Sequence, residues 1–278
     1  MSAAESVPVN LVSLRSVEPA SGMVTDPHIR VEGLVKTFGG APLYQGFNAQ
    51  FPRGEIVTIF GPNGCGKSTL LNMIAGLLPY DAGGIAVGGK PIKETKIGYV
   101  FQNYREALFP WLKAIDNIYY PLKRRGLGKD AQRRAVEKAL ASFELKFDLN
   151  KYPYELSGGQ QQTVSIIRAL VVEPEVLFLD EPFSALDYEM TLQMRDQLEK
   201  VFMATRTTTV LVSHDLEEAV YLSDRILLLT RRPTQIADYV SFAGARPRGI
   251  ATLSDPEFVR IKAHCLDVFQ REVRRGER

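Results

Sequence analysis

Gly61-Pro62-Asn63-Gly64-Cys65-Gly66-Lys67-Ser68 sets glycines, a lysine and a hydroxyl into one short run. Without Cβ atoms, glycines let successive backbone N–H groups turn toward one point, where a phosphate can sit. The pattern G-x-x-x-x-G-K-[ST] adds a lysine that reaches β- and γ-phosphates and a hydroxyl that binds Mg²⁺. Lys67 and Ser68 are expected in those roles, with Gly61, Asn63, Gly64, Cys65, Gly66 and Thr69 completing the cradle for a nucleotide. Such a loop fits kinases, GTPases and ATPases alike. The chain has no Asn-Lys-x-Asp run of the kind that reads guanine. Cys65 lies inside the loop beside the N-terminus of the next helix, and a helix N-terminus lowers a thiol pKa. A reactive thiol is expected there, with a small residue chosen for fit as the alternative.

The cradle needs a strand before it and a helix after it. Glu55–Phe60 supplies an apolar strand, and the sequence predicts a helix over about Lys67–Leu77 whose N-terminal dipole faces the same anion. Upstream, alternation from His28 to Leu34 predicts the first strand. Residues 1–27, rich in Ser, Ala, Val and Pro, read as a poorly ordered extension. Gly83-Gly84 and Gly88-Gly89 mark a turn-and-strand region. From about 103 to 172 the pattern turns helical. One helix is expected to be capped by Asp130, with an apolar stripe of Val136, Ala139, Leu140 and Phe143, and another to follow Ser157-Gly158-Gly159. Three apolar runs, Val176–Leu179, Thr209–Val212 and Ile226–Leu229, then alternate with helical stretches near Glu189–Met203 and Leu216–Tyr221. That alternation predicts an α/β fold with a parallel sheet and crossover helices.

Composition narrows the class. The 278 residues are 45% hydrophobic and 24% charged with a net charge of +2, an ordinary globular balance that gives no argument for nucleic acid. No apolar run approaches the ~18 residues of a membrane span, and the N-terminus shows no secretory pattern. Two cysteines, Cys65 and Cys265, far apart in sequence, suggest no disulfide framework and fit a reducing compartment.

Five further elements occur once each and in order: Val100-Phe101-Gln102, Leu156-Ser157-Gly158-Gly159-Gln160, Leu179-Asp180-Glu181-Pro182, Ser184-Ala185-Leu186-Asp187 and Val212-Ser213-His214-Asp215. With the glycine loop they resemble the ATP-binding cassette (ABC) ATPases from about Ile29 to Thr230. The resemblance implies a P-loop NTPase (RecA-like) parallel sheet core with an antiparallel β subdomain and an α-helical signature subdomain, 103–172. The ATPase domain would cover 28–232, with a short tail over 233–278 ending as a mixed-charge helix. It implies ATP and Mg²⁺ as ligands. Asp180, Ser68 and Gln102 would hold Mg²⁺, Glu181 would polarise the attacking water as general base, and His214 would contact the γ-phosphate. Phe38 would stack on adenine. Ser157, Gly159 and Gln160 would open a second anion site on a helix N-terminus, closing over ATP held by a second copy in a head-to-tail dimer, with Asp187 at that interface. Where many relatives read Gln-Arg and Ala-Arg-Ala, this chain has Gln162-Thr163 and Ile167-Arg168-Ala169, which leaves the packing of the signature helix open.

The run Leu108-Phe109-Pro110-Trp111-Leu112 with Asp116-Asn117-Ile118, and Glu181-Pro182-Phe183-Ser184-Ala185-Leu186-Asp187, resemble the nitrate, sulfonate and taurine importer ATPases. The resemblance implies an integral membrane permease as partner, docking near Gln102–Tyr120 with Trp111 as an anchor. A periplasmic or lipoprotein solute-binding protein and a peripheral place on the cytoplasmic face of the inner membrane follow from it. The basic run Lys123–Lys129 reads as a solvated loop, or as a contact with anionic headgroups. Two alternatives stay open: an exporter or lipid-transport ATPase, and a soluble ABC ATPase outside transport. Tandem cassettes or a long coiled-coil insertion would favour the last, and neither is visible.

Overall fold

The computed structural model describes residues 26–184 and 186–275. The expected N-terminal extension therefore lies, up to residue 25, outside the described residues. The strands are β1 (Pro27–Phe38), β2 (Ala41–Pro52), β3 (Ile56–Phe60), β4 (Ala82–Val87), β5 (Lys90–Pro91), β6 (Ile97–Val100), β7 (Val176–Asp180), β8 (Thr208–Val212), β9 (Arg225–Leu229) and β10 (Ile236–Ser241). The helices are α1 (Lys67–Ile74), α2 (Tyr104–Ala107), α3 (Ala114–Arg124), α4 (Lys129–Leu140), α5 (Gly158–Leu170), α6 (Tyr188–Thr205), α7 (Leu216–Leu222), α8 (Ile250–Leu253) and α9 (Pro256–Arg275).

One sheet has the order β10-β9-β3-β8-β7-β6, parallel except for β10, which runs antiparallel to β9. A second sheet, β2-β1-β4-β5, is antiparallel. The inner strands β3, β7, β8 and β9 are mostly apolar and buried because both faces of the sheet are covered there. Side chains alternate between two cores with the period of two that a strand imposes. Val57, Ile59, Val176, Phe178, Val210, Val212, Leu227 and Leu229 face α1 and the antiparallel sheet. Ile56, Phe60, Leu177, Leu179, Leu211, Ile226 and Leu228 face the layer of α5, α6, α7 and α9.

Several elements differ from the sequence expectation. α1 stops at Ile74, short of Leu77, because Gly76 adopts φ +72°, the left-handed conformation that ends helices. Gly128, not Asp130, occupies the N-cap of α4, and Asp130 sits in its first turn. β2, which alternates from Phe47 to Phe51, and β6, which does not, both pair along their length. The β1–β2 pairing carries register shifts on both strands, at Glu32-Gly33 of β1 and at Gln45-Gly46 of β2.

The segment expected as a short tail after 232 is built into the core. β10 extends the central sheet, and α9 buries Phe258, Ile261, Cys265 and Val268, spaced as one face of a helix. Between them, Arg248 is fully buried and donates to the carbonyls of Val220 (3.1 Å), Tyr221 (2.7 Å) and Ser223 (2.7 Å). It thus satisfies carbonyls that the end of α7 leaves unpaired. Arg246 pairs with Glu199 on α6 and with Asp224 Oδ1 at 2.9 Å. Residues 103–172 form the α2–α5 layer, and residues 271–275 the charged last turn of α9.

Replacing Phe258 by Ala is expected to cost about 3–5 kcal/mol of stability, the usual loss for a buried phenylalanine, in equilibrium urea unfolding. A loss below about 1 kcal/mol would mean that α9 does not pack as described.

Candidate active site

Neighbouring parallel strands deliver the motifs to one edge of the sheet. β3 runs into the glycine loop, β8 into Ser213-His214, β7 into Asp180-Glu181 and β6 into Phe101-Gln102. Sites in open parallel sheets form beyond the carboxyl ends of the strands.

In the loop, Gly64 and Gly66 take φ +75° and +102°, and a Cβ on Gly66 would come within 3.0 Å of Leu43. Gly61 has ordinary φ, but a Cβ there would lie 3.0 Å from the Leu229 carbonyl oxygen. Helix α1 starts on Gly66 with no side-chain cap, so its first N–H groups are offered to an anion. Lys67 is buried, and its Nζ donates to the carbonyls of Gly61 (2.9 Å) and Pro62 (3.4 Å). Ser68 Oγ donates to Asp180 Oδ1 at 2.8 Å. Backbone N–H groups, a buried lysine and a hydroxyl–carboxylate pair suit a triphosphate with a hard divalent cation.

Asp180 closes β7 in a buried position, and burial pushes its carboxyl above the usual range even though Ser68 donates to it. The next residue, Glu181, adopts φ +45°, left-handed for a residue with a Cβ. The turn is held by Glu181 N–H donating to Val212 O at 2.9 Å and Ser184 Oγ to Glu181 O at 3.0 Å. One carboxylate oxygen, Glu181 Oε2, accepts from Gln102 Nε2 at 2.9 Å and lies 3.3 Å from His214 Nδ1. His214 itself is placed by Asp215, which caps α7 through Glu218 N–H at 3.0 Å.

The signature residues gather elsewhere. Ser157 caps α5 in a reciprocal box: Gln160 N–H donates to Ser157 Oγ at 3.4 Å, and Ser157 N–H to Gln160 Oε1 at 3.0 Å. Gly159 is buried under Met190, whose Cε would lie 2.0 Å from a Cβ there. Asp187 caps α6 through Met190 N–H at 2.8 Å. Gln162 Nε2 reaches Pro182 O at 2.6 Å, tying α5 to the turn after Glu181. Thr163 Oγ1 donates to Gly159 O at 2.9 Å, and Ile167 enters the core, while the buried Gln162 Oε1 has no hydrogen-bond partner among the described residues. Phe38 is exposed at the end of β1 with Lys36 Nζ 5.1 Å from its ring centroid. Among the described residues, no hydrogen bond or ion pair joins Phe38, Ser157, Gly159, Gln160 or Asp187 to Lys67, Ser68, Asp180 or Glu181.

Other contacts were not legible in the motifs. Tyr44 Oη donates to Gly66 O at 3.0 Å, Arg232 Nε to Gly64 O at 2.7 Å, and Thr234 Oγ1 to Cys65 O at 2.6 Å. Tyr99 Oη on β6 donates to Asn72 Oδ1 on α1 at 2.8 Å. These partners are far apart in sequence, and no local pattern announces them.

The expectation of a reactive Cys65 is corrected. Its side chain is 2% exposed, and burial pushes the thiol pKa up, outweighing the nearby Lys67 ammonium and the loop N–H groups.

Fold and site together define an α/β nucleotide-binding protein with a glycine phosphate loop. Residues 44–184 match the family described as ABC transporter. The taurine import ATP-binding protein TauB of Escherichia coli (strain K12) is 36% identical over 247 residues, covering 86% of this chain and 95% of that protein. Its counterpart from Yersinia pseudotuberculosis serotype I is 38% identical over 255 residues, covering 88% and 99%. Among solved structures, a dimeric ATP-binding cassette in a post-hydrolysis state with ADP and Pi is 29% identical with a TM-score of 0.68, covering 78% of this chain and all of that one. The chain belongs to the ABC transporter family.

Cys65 is expected to resist alkylation in the native protein at pH 7–8, because a raised pKa keeps it a thiol and burial blocks access. Cys265, also buried, is pushed up to about 12 and is expected to behave alike. Thiol counting with an aromatic disulfide is expected to find both groups only after denaturation. Rapid stoichiometric labelling of Cys65 in the folded protein would contradict this.

Proposed function

We propose that this chain is the ATP-hydrolysing motor of an importer, working as a pair of copies bound to a membrane permease. The observation that carries the reading is the convergence of Gln102 and His214 on one carboxylate oxygen of Glu181, beside the Ser68–Asp180 pair. Mg²⁺, held by Ser68 and Asp180 with Gln102 nearby, would neutralise charge on the β- and γ-phosphates.

Lys67 and the N–H groups at the end of the loop and the start of α1, from Gly66 to Thr69, grip the phosphates, Gly61, Asn63, Gly64 and Cys65 shape the loop around them, and Phe38 offers an exposed ring to adenine. Glu181 accepts the proton of the attacking water. Gln102 and His214 fix the direction of its carboxylate, and His214 is placed to meet the γ-phosphate. Ser157, Gly159 and Gln160 at the N-terminus of α5 present donors to the ATP of the second copy, and Asp187 lies at that junction. The dimeric neighbour with ADP and Pi supports a paired arrangement.

Two further points favour transport through a partner. No described helix is long and apolar enough to cross a membrane. Trp111 is 71% exposed, with Phe109 beside it at 5.5 Å between ring centroids, and Phe109 meets Tyr120 at 4.5 Å. This aromatic platform suits a helix of the permease. The names of the relatives point to taurine or a similar sulfonate as the solute. A periplasmic or lipoprotein solute-binding protein and a peripheral position on the inner membrane's cytoplasmic face complete the proposal.

Glu181→Gln is expected to bind ATP yet hydrolyse it at least ~100-fold more slowly, the usual loss for a general base. Near-normal turnover would remove Glu181 from that role. Purified from its native cell with Mg-ATP, the same variant is expected to bring down a multi-pass membrane protein. Recovery of soluble partners alone would end the transport reading.

A further inference from the structure

Three consecutive carbonyls of the glycine loop each accept a hydrogen bond from a side chain outside it. Gly64 O takes Arg232 Nε at 2.7 Å, Cys65 O takes Thr234 Oγ1 at 2.6 Å, and Gly66 O takes Tyr44 Oη at 3.0 Å. In a trans peptide the carbonyl and the next residue's N–H point in opposite directions. Holding the carbonyls of Cys65 and Gly66 on one side therefore aims the N–H groups of Gly66 and Lys67 to the other. Cys65 N–H closes the loop on Pro62 O at 3.2 Å. The peptide between Cys65 and Gly66 is fixed by Thr234.

The clamp is itself anchored. Thr234 is fully buried, its N–H donates to Leu43 O at 2.8 Å, and it bridges Tyr44 on β2. Gln235 Nε2 donates to Gln45 O at 3.1 Å. Residues 232–235 are thus seated between β2 and the loop, in the connection from β9 to β10. Gly66, at φ +102°, adopts a conformation open to glycine but rare for other residues, and the pinned carbonyls select it from glycine's wider range. A carbonyl left unpaired at a buried position costs free energy, which drives the peptide to turn.

We propose that Thr234 and Arg232 are positioning residues of the nucleotide site: Thr234 holds the Cys65 carbonyl outward and so keeps the Gly66 N–H aimed at the phosphates, and Arg232 holds the Gly64 carbonyl and so fixes the turn that Cys65 N–H closes on Pro62 O. The proposal rests on the nucleotide-binding reading of the loop. These N–H groups grip phosphate before and during hydrolysis alike, so losing their aim weakens binding more than turnover.

The test measures binding of a fluorescent ATP analogue and steady-state ATPase activity on the full chain. Thr234→Val, which keeps the shape and removes the hydroxyl, is expected to raise Kd and KM about tenfold, as for one lost hydrogen bond that leaves its partner unpaired. Its kcat is expected within about twofold of the parent. Thr234→Ser is expected to restore Kd, which a packing role for the methyl group would not do. Arg232→Ala, at an exposed position, is expected to raise Kd about threefold and decides the matter if Thr234→Val fails to fold. Parental Kd and KM in folded Thr234→Val, or in Arg232→Ala when the former does not fold, would overturn the positioning role. A parent that fails to bind the analogue would instead overturn the nucleotide reading underneath it.

Discussion

In the ladder β3–β8–β7–β6, Ile59 pairs with Val212, Val212 with Asp180, and Leu179 with Val100. The four strands therefore run out together, and the residues just past their ends are neighbours whatever their separation in sequence. Parallel pairing with both faces buried fixes this register, since a slip of one residue would turn every apolar side chain to the wrong core. The positions of Lys67, Gln102, Asp180, Glu181 and His214 all derive from that constraint. Loops alone could not bring Gln102 and Glu181 to 2.9 Å with comparable economy of ordered chain.

The edge so formed is costly for the residues on it. Asp180 is a carboxylate buried beyond its preference, with its pKa raised by the loss of water. Glu181 holds a left-handed backbone, which costs roughly 1–2 kcal/mol for a residue with a Cβ. Strain and unfavourable burial in adjacent residues at one strand end are the pattern expected where a fold serves chemistry at the expense of stability. The left-handed turn has a visible use. It swings the Glu181 side chain off the strand direction, so that adjacent carboxylates serve different neighbours, Ser68 for one and Gln102 with His214 for the other.

The last third of the chain braces this edge from behind. Arg248 satisfies the end of α7, whose start carries Asp215 next to His214. Arg246 joins α6 to the turn before β9. Thr234 and Arg232 hold the back of the phosphate loop. The strand and helix after residue 232 are thus part of the same packed body as the site, and a boundary drawn there separates residues that touch.

The sequence by itself determined the chemistry and the order of the central elements. Glycine spacing, a lysine and a hydroxyl define an anion cradle because only backbone geometry and charge are needed to read it. Uninterrupted apolar runs such as Val176–Leu179 announce strands buried on both faces. Family resemblance added Gln102, the signature Ser157-Gly158-Gly159-Gln160 and Asp187, which no local pattern singles out. Tertiary structure alone decided what depends on partners distant in the chain. β2 alternates from Phe47 to Phe51 and α9 carries an apolar stripe at helical spacing, but only the fold shows that β2 pairs with β1 and that the stripe of α9 packs on the central body. The thiol of Cys65 is set by packing: the helix dipole that a sequence reader sees favours the thiolate, while the burial that only the fold supplies disfavours it and prevails. The carbonyl pins from Tyr44, Arg232 and Thr234 are likewise invisible in sequence, because a hydrogen bond across 168 residues leaves no periodicity to detect.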